Sequence, residues 1–108
     1  MLRIYPVIIE MIESLRPVLA EIERRDCDLA RQMRRAASSV ALNVAEGAYS
    51  RGRNRTARYH TALGSMQETR ACLDVAAAFG YLGALDEQTT QRMAQVTGTL
   101  VRLVRGPG

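Results

Sequence analysis

LARQMRRAASSVALNVAEGAY, residues 29–49, carries a helical period with apolar residues on two sides. Leu29, Met33, Ala36, Ala37, Val40 and Val44 recur at steps of three and four, so they share one face of a helix. Arg31, Arg34 and Arg35 occupy the opposite face at the start of the segment. Further along that opposite face turns apolar, continued by Leu42, Ala45 and Tyr49. A helix that is apolar on both sides is expected to be covered on both sides. A bundle of this size covers one side, so the end of the segment is expected to contact another copy of the chain.

The flanking segments supply the rest of the bundle. Ile4, Ile8, Met11, Leu15, Leu19 and Ile22 draw a single apolar stripe upstream, with Glu10, Glu13, Glu21 and Glu23 off it. Pro6 sits near the start, where proline is tolerated; Pro17 lies inside and is expected to kink or break the helix. Arg24, Arg25 and Asp26 read as the connection, with Asp26 or Asp28 as the next N-cap. Gly47 to Asn54 reads as a break. A third helix is expected over about 55–79, carrying Tyr59, Ala62, Met66, Leu73, Ala76 and Ala77. Inside it, Gly64 implies close approach of a neighbouring helix, since glycine costs about 1 kcal/mol against alanine there. Gly80-Tyr81-Leu82-Gly83 ends that helix. Asp86 caps a fourth, with the stripe Met93, Val96, Leu100, Leu103 and Val104 and with Arg102 and Arg105 suiting its C-terminal end. Gly106-Pro107-Gly108 reads as a frayed tail. Four helices with short connections imply an all-α, antiparallel up-down four-helix bundle, a single domain spanning 1–108.

Composition agrees. With 108 residues, 47% hydrophobic and 24% charged, the chain is long enough for a real core without staples. All fifteen basic residues are arginine, and the net charge is +4. Arginine forks to phosphate and stacks on bases where lysine offers a point charge. Cys27 and Cys72 form no CxxC pair and read as buried thiols of a cytoplasmic protein. The longest uncharged stretch, Val75 to Leu85, is too short for a membrane span of about 20 residues.

Residues Gln32 to Gly47, QMRRAASSVALNVAEG, closely resemble the signature Q-L-R-R-A-A-x-S-I-P-x-N-I-A-E-G of the four-helix-bundle proteins encoded in intervening sequences of bacterial large-subunit ribosomal RNA genes. Ala62 to Glu68, ALGSMQE, is similar to that family's A-x-G-S-x-x-E, and Gly80-Tyr81-Leu82 to its G-Y-L helix end. Ala41 stands where the family usually has proline, and Arg58 where it tends to be aromatic. The resemblance implies a four-helix bundle and a ring-shaped homopentamer. It extends to accessory proteins of diversity-generating retroelements, which bind nucleic acid and a reverse transcriptase; for the intervening-sequence branch it implies no settled biochemical role.

The candidate working surface is basic. Arg51, Arg53, Arg55 and Arg58 fall within eight residues with no acid among them. From Arg24 to Arg70 there are ten arginines against four acids, whereas the rest of the chain carries five against seven. With Arg31, Arg34 and Arg35 this makes a surface suited to phosphate, and a ring would repeat it in every subunit. Tyr49 and Tyr59 read as core or interface aromatics, base stacking being the other role open to them. Asn43, Glu46 and Glu68 read as structural groups that set packing register and oligomer geometry, with Arg34 or Arg35 as the partner of a buried Glu46.

Little points to catalysis. His60 is the only histidine, the residue three before it is Ala57 rather than the glutamate of a di-iron bundle, and the cysteines are too far apart in sequence to suggest zinc. The spacing of Arg55 and His60 is similar to that in HEPN-type ribonucleases, where the resemblance implies an arginine steadying phosphate charge and a histidine moving protons. The reading of the whole is a non-enzymatic homo-oligomer without metal or cofactor, a pentamer by the family resemblance, binding RNA or DNA through arginine surfaces alongside a protein partner such as a reverse transcriptase. The alternatives are a protein–protein scaffold that binds no nucleic acid and, remotely, the ribonuclease.

Overall fold

A computed structural model describes residues 2–106 of the chain. Four helices follow one another: α1 (Ile4–Arg25), α2 (Cys27–Ala48), α3 (Gly52–Ala78) and α4 (Glu87–Arg105). No strand occurs among the described residues. Each helix packs on its neighbours in the order α1, α2, α3, α4 and back to α1, and the α2–α3 seam is the most extensive. Asp26, between α1 and α2, meets Tyr81 beyond the end of α3, while Gly47 at the end of α2 meets Tyr59 near the start of α3. The helices therefore run alternately up and down, as the short connections require.

The apolar stripe of α1 is buried as its spacing dictates: Ile4, Ile8, Met11, Leu15, Leu19 and Ile22 face the core. Pro17 does not break the helix, which continues to Arg25. Proline's missing N–H removes one hydrogen bond, but Pro17 is exposed, so the carbonyl left free lies on the wet side of the helix. Arg24 and Arg25 belong to α1, and the connection shrinks to Asp26. Its backbone N–H closes α1 on the Ile22 carbonyl (2.8 Å), and its carboxylate accepts from Leu29 N at 3.0 Å to open α2. One residue thus ends one helix and caps the next.

Small residues let α2 and α3 meet closely: Gly47 lies against Tyr59, and Ser39 meets Ser65 at 2.7 Å. Ala36, Ala37, Ala41 and Gly47 of α2 are buried, as are Ala62 and Ala76 of α3. α2 runs through Ala41 and Gly47 to Ala48, so the expected break begins later and spans only Tyr49 to Arg51. Gly47 is where a side chain has no room: a Cβ there would lie 2.4 Å from Tyr59 Cε1. Gly64, expected to admit a neighbouring helix, has open space around it within the chain.

The far ends match their signals. Gly80 takes φ +78°, and the N–H groups of Gly80 and Tyr81 bond to the carbonyls of Ala77 (3.0 Å) and Ala76 (2.9 Å), closing α3 with two of its last carbonyls satisfied. Asp86 caps α4, accepting from Thr89 N at 2.7 Å. These bonds to Thr89 hold the Asp86 carboxyl below its usual range. Arg92 reaches back from α4 to the Ser14 hydroxyl and to Glu10 of α1. Gly106 ends α4; the rest of the expected tail, Pro107 and Gly108, lies outside the described residues.

One cysteine departs from expectation. Cys72 is buried, and burial, followed by the charge of Glu68, pushes its thiol up from its usual pKa. Cys27 is exposed, because it begins α2 on the solvent side of the Asp26 turn.

Candidate nucleic-acid interface

The outer face of α2 forms a shallow groove lined by Arg31, Arg34, Arg35, Ser38, Ser39, Leu42 and Asn43. Its arginines differ in how they are held. Arg31 pairs with Asp28 at 3.4 Å and Arg34 with Glu23 of α1, while Arg35 has no ion pair among the described residues. Both pairs are solvent-exposed and so hold their arginines only weakly.

Arg58 of α3 joins this groove to the second arginine group. It donates to Asn43 Oδ1 (3.4 Å) and lies 3.7 Å from Glu46. The Asn43 amide in turn donates to the Ser39 carbonyl (2.9 Å) and hydroxyl (3.0 Å), and Ser65 of α3 donates to the same hydroxyl at 2.7 Å. A polar chain therefore crosses the α2–α3 seam on its solvent side. Glu46 is exposed within the chain, and its partner is Arg58 rather than Arg34 or Arg35, because α3 runs alongside this turn of α2. Glu68 is also exposed and accepts from Gln32 of α2 at 3.4 Å.

The connection after α2 carries the remaining arginines. Arg55 is turned inward: its Nε donates to the carbonyls of Gly47 (3.2 Å) and Ser50 (2.9 Å), which satisfies the C-terminal end of α2. Arg51 and Arg53 are exposed and have no ion pair among the described residues. Both stand at the start of α3, which has no side-chain cap and no acid in its first turn. That end of a helix carries partial positive charge, so each arginine placed there is disfavoured by about 0.3–1 kcal/mol. Local stability alone would favour an acid or a serine.

Arg55 and His60 do not converge. Five residues apart on one helix, they sit about 140° apart around its axis, and Arg55 is engaged by the end of α2. The two tyrosines separate as well. Tyr59 is 4% exposed and packs edge-on over Gly47, whereas Tyr49 is 83% exposed. Among the described residues no group of three or more His, Cys, Asp or Glu is placed to hold a metal ion, and no helix is long and apolar enough to cross a membrane.

The family model described as 23S rRNA-intervening sequence protein matches residues 3–103. The chain belongs to this family. No curated protein and no solved structure matches it significantly. The match takes in α1 to α3, most of α4 and both arginine groups. Ala41 is buried in an uninterrupted α2, and Arg58 forms the bridge between the groove and the connection.

Sequence reasoning missed two features. The first is Gly47 as a packing residue: its place among turn formers hid the contact with Tyr59, which lies twelve positions away. The second is the carbonyl-capping role of Arg55, for which an arginine a few residues after a helix end is only a weak signal.

Proposed function

We propose that this intervening-sequence protein is a non-enzymatic, homo-oligomeric bundle that binds RNA or DNA through Arg35 on α2 and the connection into α3, the Leu42 end of the α2 groove being left to contact between copies. The observation that carries the reading is the placing of Arg51 and Arg53. Without an ion pair among the described residues, they stand at the uncapped, positive end of a 27-residue helix, where folding gains nothing from them. A polyanion relieves that repulsion and takes the forked hydrogen bonds that arginine offers. Arg35, also without an ion pair among the described residues, extends the same surface along α2.

Assembly is supported by the outer face of α2. Leu42 is 64% exposed at the centre of a helix face, with half-buried Ala45 one turn on. A second copy covering Leu42 removes this apolar surface from water. A ring, pentameric in keeping with the family resemblance, would repeat the arginine surface around its axis. The absence of catalysis belongs to the same reading: Arg55, the arginine of the ribonuclease alternative, is spent on α2.

The test is binding of structured RNA and duplex DNA across a salt series, with sedimentation of the free protein alongside. If about four phosphates are neutralised, affinity falls on the order of 100-fold between about 50 and 200 mM salt. Replacing Arg35, Arg51 and Arg53 with alanine should flatten that slope. Assembly that persists without any binding at low salt would leave the protein scaffold, the reading that exposed Leu42 favours on its own.

A further inference from the structure

Tyr49 is the most exposed of the large hydrophobic side chains, at 83%, yet its backbone is held firmly. Its N–H bonds to the Glu46 carbonyl (3.2 Å) and meets that of Gly47, closing α2. The next residue is tied on both sides: the Ser50 hydroxyl donates to the Glu46 carbonyl at 2.9 Å, and the Ser50 carbonyl accepts from Arg55. The result is an aromatic ring displayed from a braced turn, with Arg51 and Arg53 two and four positions on. An exposed ring of this size gains nothing from the fold that displays it. Tyr59, in contrast, has its ring consumed by packing on Gly47.

We infer that Tyr49 is a stacking platform for an unpaired base, and that the nucleic acid taken at this surface is single-stranded or presents an unpaired nucleotide there. This inference rests on the reading of the arginine surface as a nucleic-acid interface. Arginine-lined grooves with an aromatic face are how proteins hold single strands, because every base has a π-face while the cations track the backbone. In a duplex the base faces are stacked on one another, and a ring lying outside the groove cannot reach them. Arg51 and Arg53 supply backbone contacts that either form of nucleic acid can use. Tyr49 supplies one that only an unpaired base can use. Fixing the turn beforehand reduces the ordering that binding requires.

The experiment compares an unstructured RNA with the same RNA annealed to its complement, at matched ionic strength, by fluorescence anisotropy. Tyr49→Ala is expected to weaken single-strand binding by about 5- to 150-fold, the size of one lost base stack, and to leave duplex binding unchanged. Tyr49→Phe keeps the ring and should keep the affinity. The double change Arg51→Ala with Arg53→Ala should weaken both forms. Since Tyr49 is exposed, the fold should survive, and circular dichroism of each variant checks this. Equal losses for the two forms on Tyr49→Ala, or no loss for either, would overturn the inference while leaving the arginine surface standing. So would a Tyr49→Ala protein that no longer sediments as the wild type does, which would make Tyr49 a contact between copies. Wild-type protein that binds neither form would defeat the arginine surface and this inference together.

Discussion

Gly47→Ala should destabilise this protein even though alanine is the better helix former. At an open helical position the change would gain about 1 kcal/mol. Here the added methyl would lie 2.4, 2.9 and 3.1 Å from three atoms of the Tyr59 ring. Contacts that short cannot stand, and the ring has little freedom to retreat, because Tyr59 is buried in the α2–α3 seam. Overpacking of this kind costs about 1–3 kcal/mol, so after the gain in helix propensity the net loss expected is up to about 2 kcal/mol. For a chain of this size that corresponds to a fall in Tm of up to about 9 °C. Urea and thermal unfolding at fixed protein concentration would measure it, concentration being held because assembly of the kind proposed would add to apparent stability. A double-mutant cycle isolates the cause. In a Tyr59→Leu background the overlap is relieved, and Gly47→Ala should become neutral or stabilising. If Gly47→Ala raises Tm in the wild-type background, or if the cycle shows no coupling, the seam is not limited by this contact and the reasoning fails.

Gly64→Ala is the counterpart: with no heavy atom near its Cβ position, it should stabilise by about 0.5–1 kcal/mol in the same unfolding assays, and a loss would reveal a partner helix on that face. Asp26→Ala removes the N-cap of α2 and the acceptor for the Tyr81 hydroxyl, and should lower stability by about 1–2 kcal/mol, whereas Asp26→Asn should recover most of it. The depressed Asp86 carboxyl stabilises the folded state fully above its unfolded pKa, near 3.8, and that contribution is lost as pH falls through and below this value. Acid unfolding curves of wild type and Asp86→Asn should therefore converge at low pH, and curves that stay parallel would rule out the cap as the titrating group. Leu42→Asp should shift the sedimentation of the protein toward monomer without changing its helix content, because Leu42 is exposed within one chain.

The helices and their order were legible because each carries a period that one-dimensional reading can see. Ile4 to Ile22 repeats at helical spacing, and its buried set is the stripe itself. Asp26, Gly80 and Asp86 act through bonds to residues at most five positions away, so their capping roles are visible in local sequence. Pro17 did not break α1, and Gly47 did not end α2, because breaker residues act according to their surroundings. Pro17 faces solvent, where a free carbonyl finds water, and Gly47 faces a tyrosine that needs its missing side chain.

The arginine surface was legible as composition but not as geometry. Residue order shows that Arg51, Arg53, Arg55 and Arg58 are close in the chain. It does not show that Arg55 turns back onto α2, that Arg58 crosses to Asn43 and Glu46, and that Arg51 and Arg53 remain free of ion pairs. Nor does it separate Tyr49 from Tyr59, two aromatics ten positions apart of which the first ends exposed and the second buried. Sequence alone determined the four helices, their caps and the basic bias of the central half of the chain, because these follow from period and short-range hydrogen bonding. Tertiary structure decided which arginines are spent and which ring is displayed, because both depend on how closely α3 lies along α2, and that distance is set by the small side chains packed between them.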